Sequence, residues 1–291
     1  MAVQGIGWVM SWPERLATLT VASPWWAPYA AVGQVAAAGV LRGEAVWQSL
    51  NDAIQTAAPL TPMATPCPVR FVPQSRLPDG EAYEAFIYQT KQVPTRCGAH
   101  DFFNGLVWAH WPATKSTLNA LQSRDIAQNG VQKTRGPFRD ALTLLDENGA
   151  LLVAPRPIWD ALVNRSWIEA LVTLRPLWAQ ARLWVFGHAL LEQLLLFPRK
   201  SLTAHLWLPT PAFQAAAHKD LSMHALDAHW ADALQTDVAL ADKPFTPLPV
   251  MGIPGWDAAN NDARFYSDAG VFRPVREGQK APRRVSQMPV A

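Results

Sequence analysis

Residues 141–154 read ALTLLDENGALLVA. Two apolar runs flank Asn148-Gly149, a dipeptide that readily takes the positive φ angles of a tight two-residue turn. Read locally, the stretch predicts a β-hairpin, the clearest strand signal in the chain. Its surroundings are helical. Upstream, Pro112 suits a first helical turn, and ATKSTLNALQSRDIAQ (113–128) carries Leu118, Leu121 and Ile126 on one side before Asn129-Gly130 ends it. Downstream, PIWDALVNRSWIEALVTL (157–174) reads as one helix, ARLWVF (181–186) as a strand and HALLEQLLLF (188–197) as a helix that Pro198 stops. AHLWLP (204–209) is a short strand and DLSMHALDAHWADALQ (220–235) an amphipathic helix. The loop-rich end carries Trp256 and Tyr266 as anchors.

The region before residue 98 adds two further patterns. Prolines crowd LTPMATPCPVRFVPQSRLPDG (60–80), which predicts an extended run with VRFV as a short strand. Asp79 is placed to cap a helix through EAYEAFIYQT. The pattern as a whole is α+β and mostly helical, one compact domain with a small sheet containing a hairpin near 141–154. The expected boundaries are 1–272 for the globular domain, with a helical part over 1–60 and the Pro-rich segment over 61–80. Residues 273–291 form a basic tail expected to be flexible.

Hydrophobic residues make up 49% of the 291 and charged residues 16%, a composition that builds a core and excludes a disordered chain. Fourteen tryptophans mark it as tryptophan-rich, many of them expected at core edges or clefts. The net charge of +2 is set by the tail, where Arg273, Arg276, Lys280, Arg283 and Arg284 face Glu277 alone. The remaining body is slightly acidic and carries no signal for nucleic-acid binding. Two cysteines, Cys67 and Cys97, build no disulfide framework and fit a cytoplasmic location. The uncharged run between Arg15 and Arg42 is interrupted by Pro24 and Pro28, so it predicts two buried segments around a Trp-rich turn, not a transmembrane span. Peripheral membrane contact through Trp25 and Trp26 stays open.

Standard phosphate-loop, dinucleotide, zinc-protease and nucleophile-elbow motifs are absent. The chemistry, if any, lies in polar residues set into apolar helices. In GAHDFFNGLVWAHWP (98–112), a turn of about 100° per residue puts Asn104 about 40° and Trp108 about 80° from His100. His100 and Asn104 therefore lie within the apolar surface, whereas Asp101 can be explained as a helix cap. His188 and Glu192 repeat the pattern at i and i+4 among leucines. Arg139 and Asp140 precede the 141–154 stretch. Ligand-pocket candidates are His100, Asp101, Asn104, Trp108, Arg139, Asp140, His188, Glu192 and Trp256. Among them His100, Asp101, His188 and Glu192 are an N/O set suited to one divalent metal and a metal-activated water.

HDFFNGLVW, RGPFRDALTLLDENGALL, VFGHALLEQLL and PVMGIPGW, in that order, resemble the successive motifs of the bacterial domain of unknown function 3025 family. The resemblance spans roughly residues 65–275 and brings no established activity, cofactor or catalytic residue. It implies a bacterial, soluble, single-domain protein in which His100, Asp101, Asn104, Arg139, Asp140, Asp146, His188, Glu192 and Trp256 belong to a shared pattern. The first expectation for function is a non-catalytic protein that binds a small molecule or a protein partner through a Trp-lined pocket. The alternatives are a metal-assisted hydrolase of a small polar substrate and a structural protein with no ligand.

Overall fold

The computed structural model describes residues 10–20, 22–57, 66–130, 136–237 and 240–275. The hairpin is the main correction. Pro137–Asn148 is a helix, and only Gly149–Val153 is a strand. Pro137 opens the helix at a position where its missing N–H costs nothing. Ala141, Leu142 and Leu145 then fall on one face with a helical spacing and are fully buried. Asn148-Gly149 is a helix exit, not a hairpin turn: Gly149 is extended, and its N–H donates to the Leu145 carbonyl. A side chain at Gly149 would collide with that same carbonyl, at 2.3 Å.

The elements run in the following order. Helices α1 (Trp12–Leu16), α2 (Ala30–Leu41) and α3 (Val46–Ala57) precede strand β1 (Arg70–Pro73). Helix α4 (Tyr83–Thr90) leads to β2 (Gln92–Thr95), α5 (Ala99–His110), α6 (Pro112–Asn129), α7 (Pro137–Asn148) and β3 (Gly149–Val153). Helix α8 (Arg156–Val163), β4 (Arg182–Val185), α9 (His188–Leu196) and β5 (Thr203–Trp207) follow. Helices α10 (Pro211–Lys219) and α11 (Met223–Gln235) and strand β6 (Phe245–Pro249) complete the order. Among the described residues the strands form a parallel β1–β2 pair and a four-stranded sheet in the order β4-β3-β5-β6. The central strand β3 pairs antiparallel with β4 and parallel with β5, and nearly all of it is buried. This is a mostly helical α+β fold around one contiguous hydrophobic core.

Other departures have local causes. The stretch 157–174 is two helical pieces, because Asn164 ends α8 and Arg165 adopts φ +51, after which Glu169–Thr173 forms a π turn. Asp79 caps nothing; a turn at Gly80 (φ +80) intervenes and α4 starts at Tyr83 behind Ala82. Strands β2 and β6 contain Pro94, Pro247 and Pro249, which argue against strands in sequence yet are tolerated in the short outer strands seen here. Of the two buried segments expected around the Trp-rich turn, only the second forms: α2 packs into the core, whereas most described residues of 17–24 are exposed. Trp26 is 1% exposed and presses its ring onto Gly33, whereas Trp25 is half-buried against Trp26 and Phe103. Among the described residues no helix is long and apolar enough to cross a membrane. Most of the predicted basic tail, from residue 276 onward, lies outside the described residues, as do 1–9 and 58–65 of the N-terminal and Pro-rich segments.

Candidate functional site

Helices α4, α5, α6 and α7, with the start of α9, enclose a pocket of about 490 Å³. Each helix turns a polar stripe toward it. On α6 the stripe is Lys115, Leu118, Asn119, Gln122 and Ile126, one helical face. On α7 it is Arg139, Thr143, Asp146 and Glu147. Tyr83 and Glu84 come from α4, and His100, Asp101, Asn104 and Trp108 from α5. Gly187 caps the start of α9, and an added Cβ there would lie 2.4 Å from the Glu147 carbonyl. That close approach sets His188, the next residue, against Asp146 on α7.

The polar groups form one chain of contacts. Lys115 is buried; its ammonium donates to Asp146 Oδ1 at 2.6 Å and to Asn104 Oδ1 at 2.9 Å. It also lies 5.3 Å from the Trp108 ring centre. The Asn104 amide donates in turn to the Tyr83 hydroxyl at 3.3 Å. Asp146 Oδ2 lies 3.7 Å from His188 Nδ1, an ion-pair distance too long for a hydrogen bond. His188 Nε2 meets His100 Nε2 at 3.1 Å, and His100 Nδ1 meets Glu192 Oε2 at 3.0 Å. The chain thus runs from a buried ammonium to a carboxylate whose side chain is 27% exposed.

The environments of these groups differ sharply. Burial pushes His188 down to about 4, against the pull of Asp146, so the ring is neutral near pH 7. Burial alone would raise the Asp146 carboxyl; the Lys115 ammonium, by its charge and its hydrogen bond, foremost overcomes it and holds the group below its ordinary value. Glu84 is raised, first by burial and then by the Asp146 charge, although Asn119 donates to its carboxylate at 2.6 Å. Burial carries the Tyr83 phenol well above its usual range. In the pocket wall Arg139 Nε is buried with no hydrogen-bond partner, whereas His188 Nδ1 lies against Asp146. The nearest carboxylate oxygen to Arg139 Nε is Asp125 Oδ2, at 3.8 Å.

Of the residues expected from sequence, His100, Asn104, Trp108, Arg139 and His188 line this pocket, and Glu192 joins through His100. Asp101 is at the pocket but is not a cap, since Gly98 holds that position. Its carboxylate instead accepts from the Arg96 backbone N–H at 2.6 Å and from the Arg96 guanidinium at 2.8 and 3.0 Å. Two candidates stand apart from the pocket. Asp140 pairs with Lys243 at the surface, and Trp256 packs half-buried on the core beside Ile253. The four groups proposed as metal ligands do not converge, because Asp101 is held by Arg96 while His100 directs its two nitrogens to Glu192 and His188. Among the described residues no three His, Cys, Asp or Glu side chains are grouped to hold a metal ion.

Lys115 was not singled out in sequence, although a signal existed. It lies three and four residues before Leu118 and Asn119, on the apolar face of α6 where a lysine must find a buried partner. Tyr83, Glu84 and Asn119 carried no signal beyond their helices.

The family model described as "Protein of unknown function (DUF3025)" matches residues 69–276. The chain belongs to the DUF3025 family. The matched segment takes in all four pocket helices and α9, so the pocket lies wholly within the family's own domain. No curated protein and no solved structure matches the chain.

Proposed function

We propose that this DUF3025 member binds a small polar molecule bearing a carboxylate or phosphate group in the α4–α7 pocket. One observation carries the reading. Arg139 lines the pocket with its Nε buried and without a hydrogen-bond partner, and a ligand of that kind supplies the acceptor it lacks. The volume of about 490 Å³ suits a small metabolite. The metal-assisted hydrolase gains no support, because Asp101 is already neutralised by Arg96. Two unpaired cysteines, Cys67 and Cys97, support a reducing compartment, and with the family resemblance a bacterial cytoplasm.

The test is a saturation-transfer NMR screen of small carboxylates and sugar phosphates against the wild-type chain and Arg139→Gln. At least one compound is expected to bind the wild type and to lose its signal with the variant. A silent panel, or binders indifferent to the substitution, sinks the proposal.

A further inference from the structure

We propose that the ligand of the α4–α7 pocket is a zwitterion, a small amino compound whose anionic group meets Arg139 and whose ammonium group meets the Glu84 carboxylate. The proposal rests on the binding reading and deepens it. A carboxylate or phosphate satisfies one side of the pocket, and the other side calls for a cation.

The charges of the lining decide this. Three cations, Arg96, Lys115 and Arg139, and four carboxylates, Glu84, Asp101, Asp146 and Glu147, line the pocket. Two of each are spent on one another: Arg96 on Asp101 at 2.8 Å, and Lys115 on Asp146 at 2.6 Å. The third cation, Arg139, has Asp125 beside it, outside the lining, at 3.8 Å and beyond hydrogen-bond reach of its Nε. Glu84 and Glu147 are then left without an ion-pair partner among the described residues. A carboxylate shielded from water and lacking a cation is costly. An ammonium on the ligand removes that cost, as an oxyanion gives Arg139 its acceptor.

The two open groups stand at different levels of the pocket. Helices α6 and α7 run antiparallel here, since Lys115 meets Asp146 while Asp125, further along α6, lies beside Arg139, earlier in α7. By helical rise Arg139 stands about 10 Å from Asp146 along α7. Glu84 is fixed one turn of α6 beyond Lys115, because the Asn119 amide donates to its Oε2 at 2.6 Å and to its main-chain carbonyl at 2.9 Å. Its other carboxylate oxygen, Oε1, accepts from no described residue. Lys115 and Arg139 both act on the Glu84 charge, so the carboxylate lies within reach of each. Burial, and then the Asp146 charge, nonetheless keep Glu84 above its ordinary value, the mark of a carboxylate short of positive charge. Ile87, Leu118 and Ile126 add apolar surface to the lining, which suits a short methylene spacer between the two charged groups.

The experiment is a ligand-observed NMR titration of the full chain at neutral pH with three matched probe pairs. These are phosphoethanolamine and ethyl phosphate, β-alanine and propionate, and γ-aminobutyrate and butyrate. In at least one pair the amine is expected to bind about tenfold tighter than its amine-free partner, or more. Glu84→Gln keeps the shape and removes the charge. It is expected to cut that ratio to about twofold or less while the amine-free probe binds as it does to the wild type. Arg139→Gln is expected to weaken both members of the pair. A preference for the amine that survives Glu84→Gln overturns the zwitterion. Equal binding within every pair, lost in Arg139→Gln, overturns the zwitterion alone and leaves the binding reading standing. Probes that all fail to bind, or that all ignore Arg139→Gln, overturn both. If Glu84→Gln does not fold, the pairs on the wild-type chain decide.

Discussion

Two of the polar networks among the described residues are built on different rules. The first joins Arg175 to the segment 251–266. Arg175 donates to the Asn260 carbonyl at 3.1 Å and to the Asn260 and Asn261 side-chain oxygens at 2.9 and 2.8 Å. Asn260 donates to the Met251 and Ile253 carbonyls at 2.9 and 2.7 Å, and Tyr266 to the Gly252 carbonyl at 2.8 Å. Its bonds mostly serve main-chain carbonyls of an irregular segment, and no group in it is left unpaired. The second network is the pocket chain from Lys115 to Glu192. It pairs side chain with side chain and pulls ionisable groups in opposite directions. The first organisation holds a loop in place. The second is held in place by the fold around it.

That contrast can be broken at several points. Lys115→Met is expected to be the most damaging single change, at roughly 3–5 kcal/mol in urea unfolding, because it strands a buried Asp146 carboxylate. A cost near zero would mean that Asp146 is solvated and the pocket wetter than described.

The pH dependence comes next. His188 falls from an ordinary value near 6.5 to about 4 in the folded chain, so the unfolded state binds the extra proton between those values. The contribution is therefore full above about pH 6.5 and is lost as the pH falls toward 4, up to about 3 kcal/mol. His110, equally buried and also near 4, acts in the same window. His188→Asn is expected to flatten the loss of thermal stability between pH 7 and 4.5, while retaining the share due to His110. An unchanged slope would place the acid sensitivity elsewhere.

In the loop network, Asn260→Ala leaves the Met251 and Ile253 carbonyls unpaired and is expected to cost about 2–3 kcal/mol without affecting carboxylate or phosphate binding. Binding lost together with stability would erase the distinction between the networks. The smallest effect belongs to Asp140→Ala. Its partner Lys243 is about half exposed, and the change is expected to stay within about 1 kcal/mol with binding intact.

Legibility in the sequence followed the same physics. Long amphipathic or apolar runs declared themselves, as in α5, α6, α9 and α11, because 3.6-residue spacing survives without tertiary context. The wheel of α5 correctly set Asn104 inside the molecule but not His100, whose side chain is 38% exposed, and the i, i+4 pair His188 and Glu192 does meet His100. What failed was local chemistry with two solutions. Asn148-Gly149 serves a helix exit as well as a hairpin, and the spacing of Ala141, Leu142 and Leu145 was the better guide. Partner choice was beyond reach: nothing in sequence says that Asp101 turns back to Arg96, or that Lys115 crosses from α6 to Asp146. Such contacts depend on how helices pack, and residues 31 apart carry no mark of meeting.

The most direct test of the central claim compares two double variants by urea unfolding. Lys115→Met with Asp146→Leu removes the buried pair of the pocket, and Arg175→Met with Asn260→Leu removes the core of the loop network. If the pocket network exists for a ligand and not for stability, the first double variant is expected to be at least as stable as the wild type, within about 1 kcal/mol, and the second to be clearly weaker. A first variant that loses as much as the second would contradict the account.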